Sequence, residues 1–191
     1  MTILLLGLLV FFSVHSVRIV ADGWRSRQIA RLGESRWKGL YSLASLAGLV
    51  LIVWGYGLAR TAPELWIPPL WTRHLAALLT LPAFVLLTAA YVPGSRIKAA
   101  IGHPMLAGVK LWALAHLLAN GRPGDVLLFG ALLAWSVIAF IAARRRDRTA
   151  GTHYAPGSAS GDALVVAVGL SAWALFAFYG HAWLIGVRPF G

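Results

Sequence analysis

Six long apolar segments separated by short polar connections are the feature that most constrains how this chain folds. A helix that crosses a bilayer needs about 20 mostly apolar residues, and the segments lie close to or above that length. Their centres are rich in leucine and small residues and do not alternate polar with apolar residues, which is typical of spanning helices and not of strands. We predict spanning helices over residues 2–20, 39–59, 74–92, 104–120, 125–143 and 162–187.

The composition argues against most other classes of protein. Hydrophobic residues make up 59% of the 191-residue chain and charged residues 12%, whereas a soluble domain has about 45–50% and about 25%. A soluble chain of this length has too little interior to bury so much apolar surface. This disfavours a soluble enzyme, a disordered chain and a disulfide-stabilised secreted domain. We predict an all-α integral membrane protein, a bundle of about six transmembrane helices in one domain over residues 1–191.

The first apolar segment and the fifth connection each need a separate interpretation. The first segment has no basic residue before its apolar run and no small-x-small cleavage site after it. We therefore interpret it as the first spanning helix and not as a signal peptide. The fifth connection, residues 144–161, is basic at its start and rich in Gly, Ser and Pro afterwards, which predicts a mobile loop.

Lysine and arginine are distributed unevenly between the two sides of the predicted bundle. The first, third and fifth connections, with Arg18 just before the first, hold 12 of these residues, and the opposite side holds four. The positive-inside rule then places the basic connections in the cytoplasm and both termini on the outer side. The net charge of +11 fits contact with a lipid bilayer that carries anionic headgroups, and no nucleic acid partner is expected.

Cysteine and the carboxylates limit the chemistry that the membrane interior can support. The chain has no cysteine, which removes disulfides, Cys-ligated iron–sulfur clusters, thiolate haem ligation and covalent haem attachment. A metal must then be held by His, Met or oxygen ligands. All six Asp and Glu residues fall in connections or at the ends of predicted helices, so a carboxylate-based proton pump is poorly supported.

Two histidines lie deep within predicted helices. His15 is 13 residues after Thr2, about 20 Å into the first helix, and His116 is 12 residues after Pro104, about 18 Å into the fourth helix from the opposite face. In a hydrocarbon core about 30 Å thick, both imidazoles lie near the midplane, and an offset of about 8 Å permits both to approach one metal ion. The alternative for each histidine is an interhelical hydrogen bond.

Cationic side chains accompany these histidines. Arg18 follows His15 by three residues on the same helix face, where it either neutralises a haem propionate or extends to the lipid headgroups. His103 and Lys110, seven residues apart, share another stripe of the fourth helix. Their alternatives are a loop-to-helix junction for His103 and an extension to the membrane boundary for Lys110. His103 and His74, both at predicted helix starts, are second choices for a metal ligand.

Several motifs resemble one known family, NnrU. The resemblance extends over about residues 3–187 and rests on residues 15–18 (HSVR), 37–42 (WKGLYS), 54–57 (WGYG), 91–98 (YVPGSRIK), 102–105 (GHPM) and 114–121 (LAHLLANG). NnrU proteins are multi-pass proteins of the bacterial inner membrane, associated with nitrite and nitric oxide reduction. The family is similar to the plant 15-cis-zeta-carotene isomerase, a membrane enzyme whose haem b is held by two histidines.

The resemblance implies a cofactor and a set of ligands. Haem b would be held by His15 and His116, and Arg18 with Lys98 or Lys110 would meet the propionates. A change in iron oxidation state would release one histidine, as is thought for the isomerase, and admit a lipophilic substrate or nitric oxide. The orientation given above would place both termini on the periplasmic side.

Other functions stay open at this point. One is a non-catalytic accessory or assembly protein for nitrite and nitric oxide reduction, which would need no haem. Another is a small transporter, for which the count of three plus three helices permits an inverted repeat. No repeat is visible at the level of residues, and no motif identifies a carotenoid substrate.

Overall fold

Helices dominate the architecture. The structure, a computed structural model, describes residues 1–190, of which 82% are helical with no strand among them. The helices are α1 (Thr2–Val20), α2 (Asp22–Leu32), α3 (Glu34–Ala59), α4 (Leu70–Tyr91), α5 (Arg96–Ile101), α6 (Pro104–Ala119), α7 (Pro123–Ala150), α8 (Ala159–Leu175), a π-helical turn (Phe176–Gly180) and α9 (His181–Ile185). The all-helical class predicted from the sequence is confirmed.

Five helical runs within residues 1–190 are long and apolar enough to cross a membrane: α1, α3, α4, α7 and the continuous stretch Ala159–Ile185. The helix α6 is apolar but has only 16 residues. At about 1.5 Å per residue it measures about 24 Å, which is less than the hydrocarbon thickness of about 30 Å. The chain is therefore a multi-pass helical protein, while a sixth span and the side on which the termini lie stay predictions.

Three connections contain more helix than their sequences predict, and the third connection forms the short helix α5. The first connection forms α2, an 11-residue helix with Arg25, Arg27 and Arg31 on it and a half-exposed Trp24. An amphipathic basic helix of this kind is typical of the membrane interface. Residues 144–150, which we predict as the start of a loop, instead continue α7 to Ala150.

The chain folds into two compact units. The first comprises Met1–Leu65 and Arg122–Ala131, and the second comprises Trp66–Gly121 and the chain from Leu132 onward. His15 belongs to the first unit and His116 to the second.

In the first unit, α1 packs against α3 through glycines. A Cβ at Gly55 would lie 2.3 Å from the backbone nitrogen of Leu4, and one at Gly48 would lie 2.9 Å from the backbone nitrogen of Phe11. A Cβ at Gly7 would likewise meet the backbone of α3 at 2.6 Å. The pair of small residues at Ala44 and Gly48 predicts close helix packing, which the contact at Gly48 bears out.

The opposite side of α3 carries large apolar side chains that face away from the protein. Leu43, Val50 and Val53 are 56–67% exposed, and they recur at helical spacing. Such a continuous apolar face is typical of contact with lipid tails. The helix therefore has one face shaped for α1 and another for hydrocarbon.

In the second unit, α4 packs against both α6 and α8. A Cβ at Gly108 on α6 would lie 3.0 Å from the carbonyl oxygen of Ala83, and one at Gly169 on α8 would lie 2.8 Å from the α-carbon of Val85. The indole nitrogen of Trp173 donates a hydrogen bond of 3.1 Å to the hydroxyl of Thr80. Small residues again set how closely these helices approach.

The Gly55→Ala substitution tests the packing of α1 on α3. Because the added Cβ would overlap backbone atoms of α1, which cannot rotate away, we expect a loss of about 1–3 kcal/mol in unfolding free energy. The measurement is equilibrium unfolding of the detergent-solubilised protein.

Gly57→Ala is the matched control, because a Cβ at Gly57, two residues along the same helix, would meet nothing within 4 Å. Equal stability of the two variants would contradict this packing.

Candidate functional site

His15 lies on α1 with its ring orientation fixed from two sides. Its Nδ1 donates a hydrogen bond of 2.8 Å to the carbonyl oxygen of Phe11, one turn earlier, and its ring stacks on the Phe11 ring with centroids 3.9 Å apart. A carbonyl oxygen only accepts, so Nδ1 carries the proton and the lone pair of the neutral ring lies on Nε2. A backbone carbonyl on one ring nitrogen is the usual second partner of a metal-binding histidine.

A cavity of about 290 Å³ lies beside His15 in the first unit. Its walls come from the end of α1, from α2 and from the start of α3. The apolar side of the cavity is formed by Val14, Val17 and Ile29, and the aromatic side by Trp37 and Tyr41.

The same cavity is lined by three cationic side chains and one acid. Arg18, Arg25 and Lys38 stand against Glu34. Lys38 forms an ion pair of 2.7 Å with Glu34, and Arg25 approaches Asp22, which does not line the cavity, at 3.5 Å. The walls therefore carry an excess of positive charge.

His116 on α6 repeats the arrangement seen at His15. Its Nδ1 donates a hydrogen bond of 2.8 Å to the carbonyl oxygen of Trp112, and the two rings lie 4.5 Å apart. The side chain of Asn120 donates to the carbonyl oxygen of His116 at 2.8 Å. As at His15, the lone pair of the neutral ring is on Nε2.

The donor set agrees with the chemistry that haem requires. Two neutral imidazoles, each with a backbone carbonyl on Nδ1, present the type of nitrogen that binds iron. Arginines beside one of them match the charge of propionates. Among residues 1–190, no group of three or more His, Asp or Glu forms a separate metal site. The sharing of one haem by His15 and His116 stays a prediction.

Lys110 and His103 both reach the ring of Phe140 on α7. The Nζ of Lys110 lies 3.7 Å from the ring centroid, and the ring of His103 meets Phe140 edge to face at 6.2 Å. The cation–π contact gives Lys110 a role within the second unit that does not require a cofactor. Lys98 also has a local partner, since its Nζ donates to the carbonyl oxygen of Ala90 at 2.8 Å.

His103 belongs to a cluster that sequence reasoning missed. The Nε2 of His103 lies 2.8 Å from a carboxylate oxygen of Asp147, and the Tyr154 hydroxyl donates to the same oxygen at 2.8 Å. The Tyr154 ring covers Gly102, where a Cβ would lie 2.9 Å from it and where φ is +74°. Because Asp147 follows His103 by 44 residues and lies where we predict a loop, the pattern of the sequence carries no signal for this cluster.

The two junctions around the cluster are also held in place. His103 is the N-cap of α6 and Pro104 its first residue, which is the loop-to-helix junction considered for this motif. The backbone nitrogen of Ser158 donates to the carbonyl oxygen of Gly94 at 2.8 Å, and Arg96 pairs with Asp162 at 2.7 Å. Residues 151–158 therefore have partners at both ends, since the backbone nitrogen of Thr152 donates to the carbonyl oxygen of Asp147 at 2.9 Å.

A buried carboxylate in the first unit was also missed. Asp125, in the first turn of α7, is 4% exposed and accepts a hydrogen bond of 2.7 Å from the Tyr56 hydroxyl. The backbone nitrogen of Arg122 donates to its other oxygen at 3.0 Å. Both oxygens thus have donors, which is what a carboxylate away from water requires. This arrangement joins α3 to α7 within the unit.

Two further histidines lie outside these clusters. His74, which we predict at a helix start, is exposed and lies one turn inside α4, since that helix begins at Leu70. The Nδ1 of His181 donates to the carbonyl oxygen of Val187 at 2.7 Å. Both residues belong to the second unit, whereas His15 belongs to the first.

The fold defines a class, the all-helical multi-pass membrane proteins. Among protein families, the chain matches the family described as "NnrU protein" over residues 3–189, and it belongs to the NnrU family. This confirms the resemblance of the sequence motifs. No curated protein and no solved structure matches the chain.

The Tyr154→Phe substitution tests the cluster at His103. Loss of the hydroxyl removes a bond of about 1–1.5 kcal/mol, so we expect amide hydrogen exchange in residues 151–158 to accelerate about fivefold to tenfold. Burial, and then the bond to Asp147, raise the pKa of Tyr154. The protection should therefore be complete below a pH of about 10 and be lost as the pH rises through the raised pKa.

Tyr179→Phe serves as the control, because Tyr179 is 73% exposed. Unchanged exchange in Tyr154→Phe, or a midpoint below a pH of about 10, would show that the hydroxyl does not hold this segment.

Proposed function

We propose that the chain is a haem b protein of the bacterial inner membrane, with His15 and His116 as axial ligands and Arg18 at a propionate. The observation that supports this most is the common geometry of the two imidazoles, each donating from Nδ1 to a backbone carbonyl at 2.8 Å. Family membership and the cations beside His15 agree with it.

The residues of the chain have defined tasks in this proposal. The carbonyl oxygens of Phe11 and Trp112 hold the two imidazoles in one tautomer and increase the basicity of Nε2. The rings of Phe11 and Trp112 pack against the imidazoles and limit their rotation. Haem, when bound, would supply a redox-active iron able to bind a lipophilic molecule or nitric oxide.

The activity proposed for this site is a redox-gated isomerisation of a lipophilic substrate or a reaction linked to nitric oxide and denitrification. The apolar surfaces of the spanning helices would admit such molecules laterally from the bilayer. A non-catalytic accessory role in nitrite and nitric oxide reduction is the alternative if no haem is bound.

Visible spectra of the purified protein test the proposal. From haem-replete cells, we expect a Soret band in the unaltered protein that is lost or strongly reduced in His15→Ala and in His116→Ala, because each substitution removes an axial nitrogen. His153→Ala, which removes an exposed histidine that is not a candidate ligand, is the control and should retain the band.

A colourless preparation of the unaltered protein would overturn the proposal and favour the accessory role. A Soret band that persists in both ligand variants would overturn the choice of ligands. Thermal unfolding of each variant distinguishes loss of haem from loss of the fold.

The orientation in the membrane can be tested independently, because the chain has no native cysteine. With both termini on the periplasmic side, Ser35→Cys in the first turn of α3 should be protected from a membrane-impermeant thiol reagent in intact cells. Thr61→Cys in the second connection should react. The reverse pattern would contradict the proposed orientation, and labelling after permeabilisation provides the control for accessibility.

A further inference from the structure

The cavity beside His15 combines an apolar wall with several cationic side chains. Its cations gather where α1, α2 and α3 meet, while Val14, Val17 and Ile29 supply an apolar wall. A pocket with an apolar wall and convergent cations is suited to a ligand that is apolar over most of its surface and anionic at one end.

The cations of the cavity differ in how far they are already neutralised. Lys38 is paired with Glu34 at 2.7 Å, whereas Arg25 meets Asp22 only at 3.5 Å. Arg18 forms no ion pair or hydrogen bond with the chain between residues 1 and 190. Arg18 and Arg25 are therefore the two guanidinium groups of the cavity that can donate hydrogen bonds to an anionic ligand. Guanidinium binds carboxylate with two parallel hydrogen bonds.

The position of Arg18 relative to His15 indicates how a ligand would be oriented in the cavity. The two residues are three apart and both line the cavity, so Arg18 lies about 4.5 Å further along the axis of α1 towards its end. A ligand that reached the His15 ring would have its anionic end beside Arg18, with the Arg25 guanidinium contributed by α2.

We propose that this cavity binds the two carboxylates of haem b, with Arg18 and Arg25 as the propionate-binding residues. The inference rests on the proposed function and extends it by naming the second cation. Arg25 is favoured over Lys98 and Lys110, because Arg25 lines the cavity and the two lysines do not. The helix α2, which the sequence did not predict, then has the task of delivering a cation to the cofactor.

Reconstitution with two porphyrins tests this inference without an activity assay. Protein purified from haem-deficient cells is titrated with haem b and with haem b dimethyl ester, which retains the iron but lacks the two negative charges, and binding is followed by the Soret band. We expect the unaltered protein to bind haem b at least about tenfold more tightly than the ester, since each charge-assisted contact contributes that factor.

The Arg18→Gln/Arg25→Gln double variant should lose this preference and bind both porphyrins with the affinity of the ester. Arg18→Lys, which retains the charge, should keep part of the preference. Arg27→Gln is the matched control, because Arg27 lies on the same helix as Arg25 but does not line the cavity. Arg27→Gln should show the same preference for haem b over the ester as the unaltered protein.

The outcomes separate this inference from the proposed function. If both porphyrins bind equally well to the unaltered protein, haem binding stands and the propionate assignment is overturned. If neither binds, both proposals fall. Titrations in nanodiscs with and without phosphatidylglycerol provide a further outcome. The lipid could weaken binding of the ester as strongly as binding of haem b, and do so only when both arginines are present. The cavity would then be a lipid headgroup site, and the inference would be overturned.

Discussion

Hydrocarbon offers no partner for a backbone N–H or C=O, and this constraint shapes the rest of the structure. Each spanning segment must satisfy its own backbone, so the chain forms helices. Between helices there is little hydrophobic driving force, and attraction depends on close contact. Gly7, Gly48 and Gly55 permit that contact between α1 and α3. The same close packing fixes the helix face on which His15 and the cavity lie.

Polar groups follow the same constraint. Asp125 has donors for both carboxylate oxygens, and Asp147 receives both His103 and Tyr154 on one oxygen. His15 and His116 are satisfied at Nδ1 by carbonyl oxygens of their own helices. This local bond does more than remove a desolvation cost, because it leaves the lone pair of each neutral imidazole on Nε2 and so prepares the nitrogen that a metal would use.

Much of the fold could be predicted from the sequence, because long apolar runs have few alternatives in a membrane. The limits of α1 agree with the prediction, and the spacing from Ala44 to Gly48 identifies Gly48 as a packing residue. The helix α2 was missed, since its arginines interrupt any apolar run and its amphipathic pattern extends over only 11 residues. The extension of α7 to Ala150 was also missed, because a run of charged residues occurs both at helix ends and in loops.

The candidate site could be predicted only where it is local in the sequence. The depth of His15 and His116 and the spacing from His15 to Arg18 follow from helical geometry. The pairs Tyr56–Asp125 and His103–Asp147, separated by 69 and 44 residues, depend on how helices pack and leave no trace in one sequence.

Electron paramagnetic resonance of the oxidised protein tests the central claim, that His15 and His116 both bind haem iron, most directly. We expect low-spin ferric haem with two imidazole ligands, and a low-spin signal that is lost in His15→Ala and in His116→Ala alike. A low-spin signal unchanged in either variant, or no haem signal in the unaltered protein, would contradict it.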